Sequence, residues 1–435
     1  MKKIIIIWMF LVIFAVSLTF EEAVLAQAEE FNWRKHEGEK INIVMARIPF
    51  TDMIGERINE FEELTGISVT FSTMTEDQSR IKTSISLSSN SSDIDVFSSM
   101  TIQEGLKFHN AGWYEPLKNY IENKELTNPN FDFGDYGPAT IDIASVEGDL
   151  VGIPVSIEGE ILFYRKDLLA EAGLEVPKTF EELEAACAKL DNPDAGIYGI
   201  VGRGQGANAT SAFSGYLYGF GGRWLDENGE PAIAEPEAIE AFKYYGRLLR
   251  EYGQPGAQGD TWTQCLPIFT SGKAAFWTDS GDDAPVCLDP EQSQISDKVG
   301  FAVLPGGKAG SVPYVYGWIF SISPYSDNKE AAWYFVQWAT SKEIAFENAA
   351  KGIRSARLSA SESDEFKKVD KSPELTQTMI DTLEVGRDIM NPHILNVQEF
   401  RDIAGTVIIT AIEGGNVEEA ANNAVKNIKK MLLNE

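Results

Sequence analysis

Three short apolar runs separated by two helical stripes constrain the fold more than any other feature of the chain. Ile41-Asn42-Ile43-Val44-Met45 reads as a buried strand. Ile54, Ile58, Phe61 and Leu64 recur at helical spacing, and Gly66 stands where a helix would end on a left-handed residue. Ile67, Val69 and Phe71 alternate as a strand does. Ile81, Ile85 and Leu87 mark a second helical stripe, and Asp93-Ile94-Asp95-Val96-Phe97 a third strand. This β-α-β-α-β order predicts an α/β fold, a mostly parallel sheet with helices on both faces and right-handed crossovers.

The alternation continues less regularly. Ile161 to Tyr164, Val299 to Leu304 and Ile319 to Ile322 read as strands. Thr179 and Glu182 have the spacing of a helix capping box ahead of the apolar stripe Leu183, Ala186, Cys187 and Leu190. Ala331 to Trp338 and the last third of the chain are helical in pattern. At 435 residues the chain is too long for one core. No Pro/Ser-rich linker divides it, so two lobes joined by several chain crossings are expected.

The N-terminus has a basic start, Lys2-Lys3, an apolar stretch from Ile4 to Phe20, and the small residues Val24 and Ala26 at the positions a signal peptidase reads. A cleaved secretory signal over residues 1–26 is expected, without a cysteine for a lipid anchor, which places the mature protein in a periplasm. The net charge of −29 is unchanged by that cleavage. It argues against nucleic acid and anionic membranes as partners, and for a soluble monomer. In an oxidising compartment the spacing of Cys265 and Cys287 allows a disulfide or two free thiols, while Cys187 reads as a buried thiol.

Signals of chemistry are sparse. The three histidines, His36, His109 and His393, have no second ligand at metal-binding spacing. There is no G-x-S-x-G elbow and no complete phosphate-binding or dinucleotide loop. No cofactor is expected. Tryptophans do recur outside periodic stripes, at Trp113, Trp224, Trp262, Trp277 and Trp318. An indole face packs on the C–H face of a sugar while nearby polar side chains bond its hydroxyls. Core packing is the competing use of each.

Several segments, in order, resemble the family 1 extracellular solute-binding proteins of bacterial ABC importers, the group with maltose, glycerol-3-phosphate and polyol binders. They are Phe61-Glu62-Glu63-Leu64-Thr65-Gly66-Ile67 with Val69, Ala111-Gly112-Trp113-Tyr114-Glu115-Pro116-Leu117, Gly152-Ile153-Pro154, and Tyr164-Arg165-Lys166-Asp167-Leu168. Pro177 to Leu183, Phe269 to Phe276 and Leu304-Pro305-Gly306-Gly307 follow. Asp93 to Phe97 departs from the family's P-D-V strand by carrying serine and isoleucine near the usual proline.

The resemblance implies a two-lobed periplasmic-binding-protein fold of type II, hinged around one small ligand. The first lobe would comprise 33–145 and 305–345, the second 146–304 and 346–435. The implied function is capture of a small carbohydrate or derivative and its delivery to an ABC permease, without catalysis. By analogy the ligand site would draw on Arg47, Phe50, Ser99 and Met100 from the first lobe, with Glu158 near the crossover. Arg203, Trp277, Asp279, Tyr316, Trp318 and Arg354 would complete it. Trp277 and Trp318 would stack, Glu158 and Asp279 accept hydroxyl protons, and the arginines donate or pair with an anionic group. A secreted carbohydrate-active enzyme, or a binder of a non-sugar solute such as an anion or metal, is the alternative reading.

Overall fold

The computed structural model describes residues 31–433 except Gly352 and Arg354, with the backbone alone at Pro138 and Ala139. The expected leader, residues 1–26, lies outside the described residues. The strands are β1 (Lys40–Ala46), β2 (Ser68–Met74), β3 (Val96–Ser99), β4 (Ser145–Val146), β5 (Asp149–Leu150), β6 (Ile153–Arg165), β7 (Tyr198–Val201), β8 (Ala274–Ser280), β9 (Val299–Val303) and β10 (Val315–Ile322). Apart from the β4–β5 hairpin they form one continuous sheet in the order β2-β1-β3-β10-β6-β8-β7, with β9 also on β6.

The parallel pairs are β1–β2, β1–β3 and β7–β8, where helices intervene between strands. Every antiparallel pair of the large sheet involves β6 or β10. These two strands carry the chain between lobes. β6 pairs with β10 up to Gly159, then with β8 and β9 from Glu160 onward. Its 13 residues are buried except for half-buried Ile157, as expected of a strand covered on both faces.

Two main cores follow. Ile41, Ile43, Phe61, Val96, Phe320, Trp333 and Phe335 centre the first lobe. Leu162, Phe213, Tyr216, Phe242, Phe276 and Ile408 centre the second. The helices Lys342–Ala350 through Asp364–Val369 stay with the first lobe: Arg57 pairs with Glu347 at 2.6 Å. Buried Arg357 donates to the carbonyls of Phe131 and Thr340 and lies 4.5 Å from the Tyr136 ring centroid. Helix Pro373–Val385 packs instead on β9, so the chain crosses a third time between them.

The early helices differ from expectation in two ways. The stripe from Ile54 to Leu64 is broken at Arg57 into helices Pro49–Glu56 and Ile58–Thr65; Gly66 ends the second at φ 74° as predicted. Helix Glu76–Ser88 leaves Ile81 and Ile85 61% and 64% exposed. It buries Ser79, Thr83, Ser86 and Leu87, a narrow face that lies close against β1. Cys187, Cys265 and Cys287 are all free and buried. Of the two states the spacing of Cys265 and Cys287 allowed, the structure has the free thiols; both pack in the apolar cluster with Phe269 and Trp277, where burial pushes both thiols up.

Candidate binding site

A cleft of about 760 Å³, open solvent at its mouth included, lies between the two cores. Parallel strands place its walls at their carboxyl ends, the usual ligand position in open α/β sheets. From the first lobe come Arg47 after β1, Met100 and Gln103 after β3, and Glu76, Asp77 and Arg80 from the helix after β2. Arg203 follows β7, while Ser280 ends β8 and Asp282 and Asp283 lie in the turn just after it. Tyr314, Tyr316 and Trp318 approach along β10, and Trp262 begins the helix Trp262–Thr270. Arg401, from helix Val397–Ile412, closes the far wall.

Local chemistry explains why these side chains hold their places. Buried Glu104 accepts from Ser99 Oγ at 3.0 Å, from the Met100 backbone N–H at 2.9 Å and from Arg80 Nε at 2.9 Å. One carboxylate thus fastens the turn that presents Met100 and Gln103, and anchors Arg80 beside it. Arg203 donates to both carboxylate oxygens of Asp279, through Nε at 2.8 Å and through Nη2. Burial opposes the charge of that guanidinium, yet Asp279 holds it well above its usual range. Arg401 donates to the Ala207 carbonyl, Thr210 Oγ1 and Ser211 Oγ at 3.1 Å, and across the cleft to Gln103 Oε1 at 3.0 Å. Burial and the neighbouring Arg80 and Arg203 lower it to about 10. It stays charged at neutral pH.

Four guanidiniums, Arg47, Arg80, Arg203 and Arg401, face four carboxyls, Glu76, Asp77, Asp282 and Asp283. The wall is formally balanced in a chain of net charge −29. Burial raises Glu76, Asp282 and Asp283 above the ordinary carboxylate range; for Asp283 the charge of Asp279 adds to it. Such a surface offers donors and acceptors in similar number, which suits hydroxyl groups. No cluster of His, Cys, Asp and Glu able to hold a metal is found among the described residues.

Of the residues singled out from sequence, Arg47, Met100, Arg203, Tyr316 and Trp318 line the cleft. Phe50 does not: its ring packs on Phe320 at 5.8 Å, and its neighbours Ile48 and Pro49 face the cleft instead. Ser99 serves Glu104 from beneath. Trp277 lies three residues short of the end of β8, its ring tilted against Phe163 at 4.9 Å in the second-lobe core. Asp279 supports Arg203 from behind, and Glu158 is fully buried under the floor. Arg354 lies outside the described residues. Sequence reasoning missed Glu76, Asp77, Arg80, Gln103 and Arg401, whose helical or turn positions carry no motif. Trp262 stood among the loop tryptophans without a role, although a half-buried indole at a helix start is the geometry a stacking residue needs.

The family model for bacterial extracellular solute-binding proteins matches residues 49–345, more than half of the chain. A mannitol-binding protein of Pseudomonas aeruginosa is 36% identical over 236 residues, which cover 53% of this chain and 52% of that protein. The chain thus spans about half the length of that relative. An erythritol/L-threitol-binding protein of Mycolicibacterium smegmatis is 25% identical over 74% of this chain and 71% of its own. Among solved structures, an ABC transporter solute-binding protein of Agrobacterium radiobacter in complex with ribitol superposes with a TM-score of 0.83 at 27% identity, covering 91% of this chain and 99% of that one.

Proposed function

The chain belongs to the bacterial extracellular solute-binding proteins, and from that premise we propose that it captures a neutral polyol or small sugar in the interlobe cleft and hands it to an ABC permease. The balanced wall carries this reading. Four arginines and four carboxyls surround a cleft with aromatic faces at Trp262, Tyr314, Tyr316 and Trp318. A neutral polyol matches every element of it, because each hydroxyl both donates and accepts. A phosphorylated or sulfonated ligand would bring negative charge beside Glu76, Asp77, Asp282 and Asp283, with Arg203 already engaged by Asp279. Relatives named for mannitol and for erythritol/L-threitol, and a ribitol complex of the same fold, support the polyol class.

In this reading the protein performs no reaction. Ligand contacts to both lobes favour the closed arrangement by the difference in affinity between the two states. The permease is the partner, reached on the outer side of a membrane. No helix among the described residues is long and apolar enough to cross one. A thermal-shift screen of D-mannitol, ribitol, erythritol, maltose and sorbitol 6-phosphate tests the proposal. A ligand at one hundred times its dissociation constant stabilises the fold by about 2.7 kcal/mol. The expected outcome is a shift with a neutral polyol, recovered chemically unchanged. A shift with the phosphate ester alone, or breakdown of the ligand, contradicts it.

A further inference from the structure

The four guanidiniums of the cleft differ in what they have left to give. Arg203 bonds through all three nitrogens: Nε and Nη2 to Asp279, and Nη1 to Asn208 Oδ1 at 3.4 Å. Arg401 is likewise committed at Nε, Nη1 and Nη2. Arg47 is 64% exposed, so water serves its donors. Arg80 is only 21% exposed. Its Nε donates to Glu104 Oε2 at 2.9 Å and its Nη1 to Asp77 Oδ1 at 3.3 Å, while its Nη2 bonds to no protein atom among the described residues. A charged donor taken this far out of water costs free energy unless a partner meets it, and the cleft that Arg80 lines is where that partner would come from.

The mount behind Arg80 is equally specific. After β3 the chain leaves through a π-helical turn, Thr101–Gly105, a wide turn of a kind frequent at functional sites. Glu104 of this turn is buried and does not line the cleft. Its Oε1 accepts from Ser99 Oγ and from the Met100 N–H, and its Oε2 takes Arg80 Nε. Ser99 spends its one hydroxyl proton on the carboxylate, so Tyr114, 2.7 Å away, donates to Ser99 Oγ. The guanidinium is a planar fork, so fixing it at Nε sets the direction of its remaining N–H groups. The same turn carries Gln103, which accepts from Arg401 across the cleft at 3.0 Å.

We propose that Arg80 is the arginine that donates to the ligand, through Nη2 to a hydroxyl oxygen, and that Glu104 is the positioning residue that aims it. The inference rests on the reading of the cleft as a polyol site. One buried carboxylate then mounts both the ligand donor and the first-lobe side of the cross-cleft contact.

The test is calorimetric titration of D-mannitol and ribitol into wild type, Glu104→Gln, Arg80→Ala and the double variant. A glutamine has one acceptor oxygen; keeping the two donors of the turn on it directs the amide N–H groups at Arg80 and frees the guanidinium. Each single variant should lose roughly tenfold or more in affinity at unchanged one-to-one stoichiometry. The double variant should bind no more weakly than Arg80→Ala, because Glu104 acts through Arg80. Arg80→Ala that binds as wild type overturns the proposal, as do losses that multiply in the double variant. Arginine Nε–H NMR supplies a readout that stability does not move. The Arg80 resonance, identified by its absence in Arg80→Ala, should be protected from solvent exchange in ligand-free wild type and lose that protection in Glu104→Gln. Equal protection in both overturns the aiming whatever the cleft binds. Saturating D-mannitol should shift the wild-type resonance, a check that needs no variant at position 104; an unmoved resonance in a protein that binds mannitol overturns the donor. Loss of protection in Glu104→Gln together with no polyol binding by wild type overturns the hydroxyl partner and the polyol reading, and leaves the mount supported.

Discussion

Glu160 sits one turn of the pleat beyond Glu158, fully buried on β6 with its carboxyl against Gly215 of helix Gly206–Gly219. Burial first, then the charge of Asp279, raise it well above the ordinary carboxylate range, so the folded protein holds a proton that the unfolded chain releases near its usual pKa. The sign follows. This contribution is fully present below the unfolded pKa and is lost as pH rises through the folded one. Glu160→Gln should remove one proton's worth of that slope, about 1.4 kcal/mol per pH unit in the affected window, and be stable at neutral pH. Urea unfolding from acid to alkaline pH checks it; a variant less stable than wild type at every pH, with the same slope, would show an ionised Glu160. Residue type alone could not separate these acids in a chain with 66 of them. Trp262 and Trp277 make the same point. Both are tryptophans among polar neighbours, but one begins a helix at the cleft and the other lies inside a strand buried throughout.

At the scale of elements, the sheet was legible because period-two and buried-strand patterns survive any tertiary context: β1, β2 and β3 lie where Ile41–Met45, Ile67–Phe71 and Asp93–Phe97 placed them, within a few residues. Helical faces were less so. Ile81 and Ile85 look like a core stripe, but helix Glu76–Ser88 turns Ser79, Thr83, Ser86 and Leu87 inward instead, and its N-terminal turns supply Glu76, Asp77 and Arg80 to the cleft. Close approach is the stronger constraint, and no periodicity reports it. Gly405 in helix Val397–Ile412 meets the backbone of Gly206, so a Cβ would strike peptide atoms that have no rotamer to change. Gly405→Ala is expected to cost about 1–3 kcal/mol and, by pushing Arg401 off its partners Thr210 and Ser211, to weaken ligand binding. Denaturation together with a binding titration tests both; unchanged affinity at reduced stability would separate the helix contact from the site.

Across the whole molecule, three chain crossings place one cleft between two cores, and the one side-chain bond described from Arg401 to the first lobe runs to Gln103. The two-lobed plan was readable from the ordered segments that resemble the solute-binding family and from the lack of a linker. The far wall was not, because Arg401 lies 298 residues from Gln103 and only the folded chain brings them together. What unites the scales is a wall lined by equal numbers of arginines and carboxyls in a strongly acidic protein. Isothermal titration of the purified protein with D-mannitol and mannitol 1-phosphate, in wild type and Trp262→Ala, tests that claim most directly. The account predicts saturable one-to-one binding of the neutral polyol, no binding of the phosphate ester, and a loss of roughly tenfold or more when the indole is removed. Preference for the phosphate ester, or polyol binding indifferent to Trp262, would contradict it.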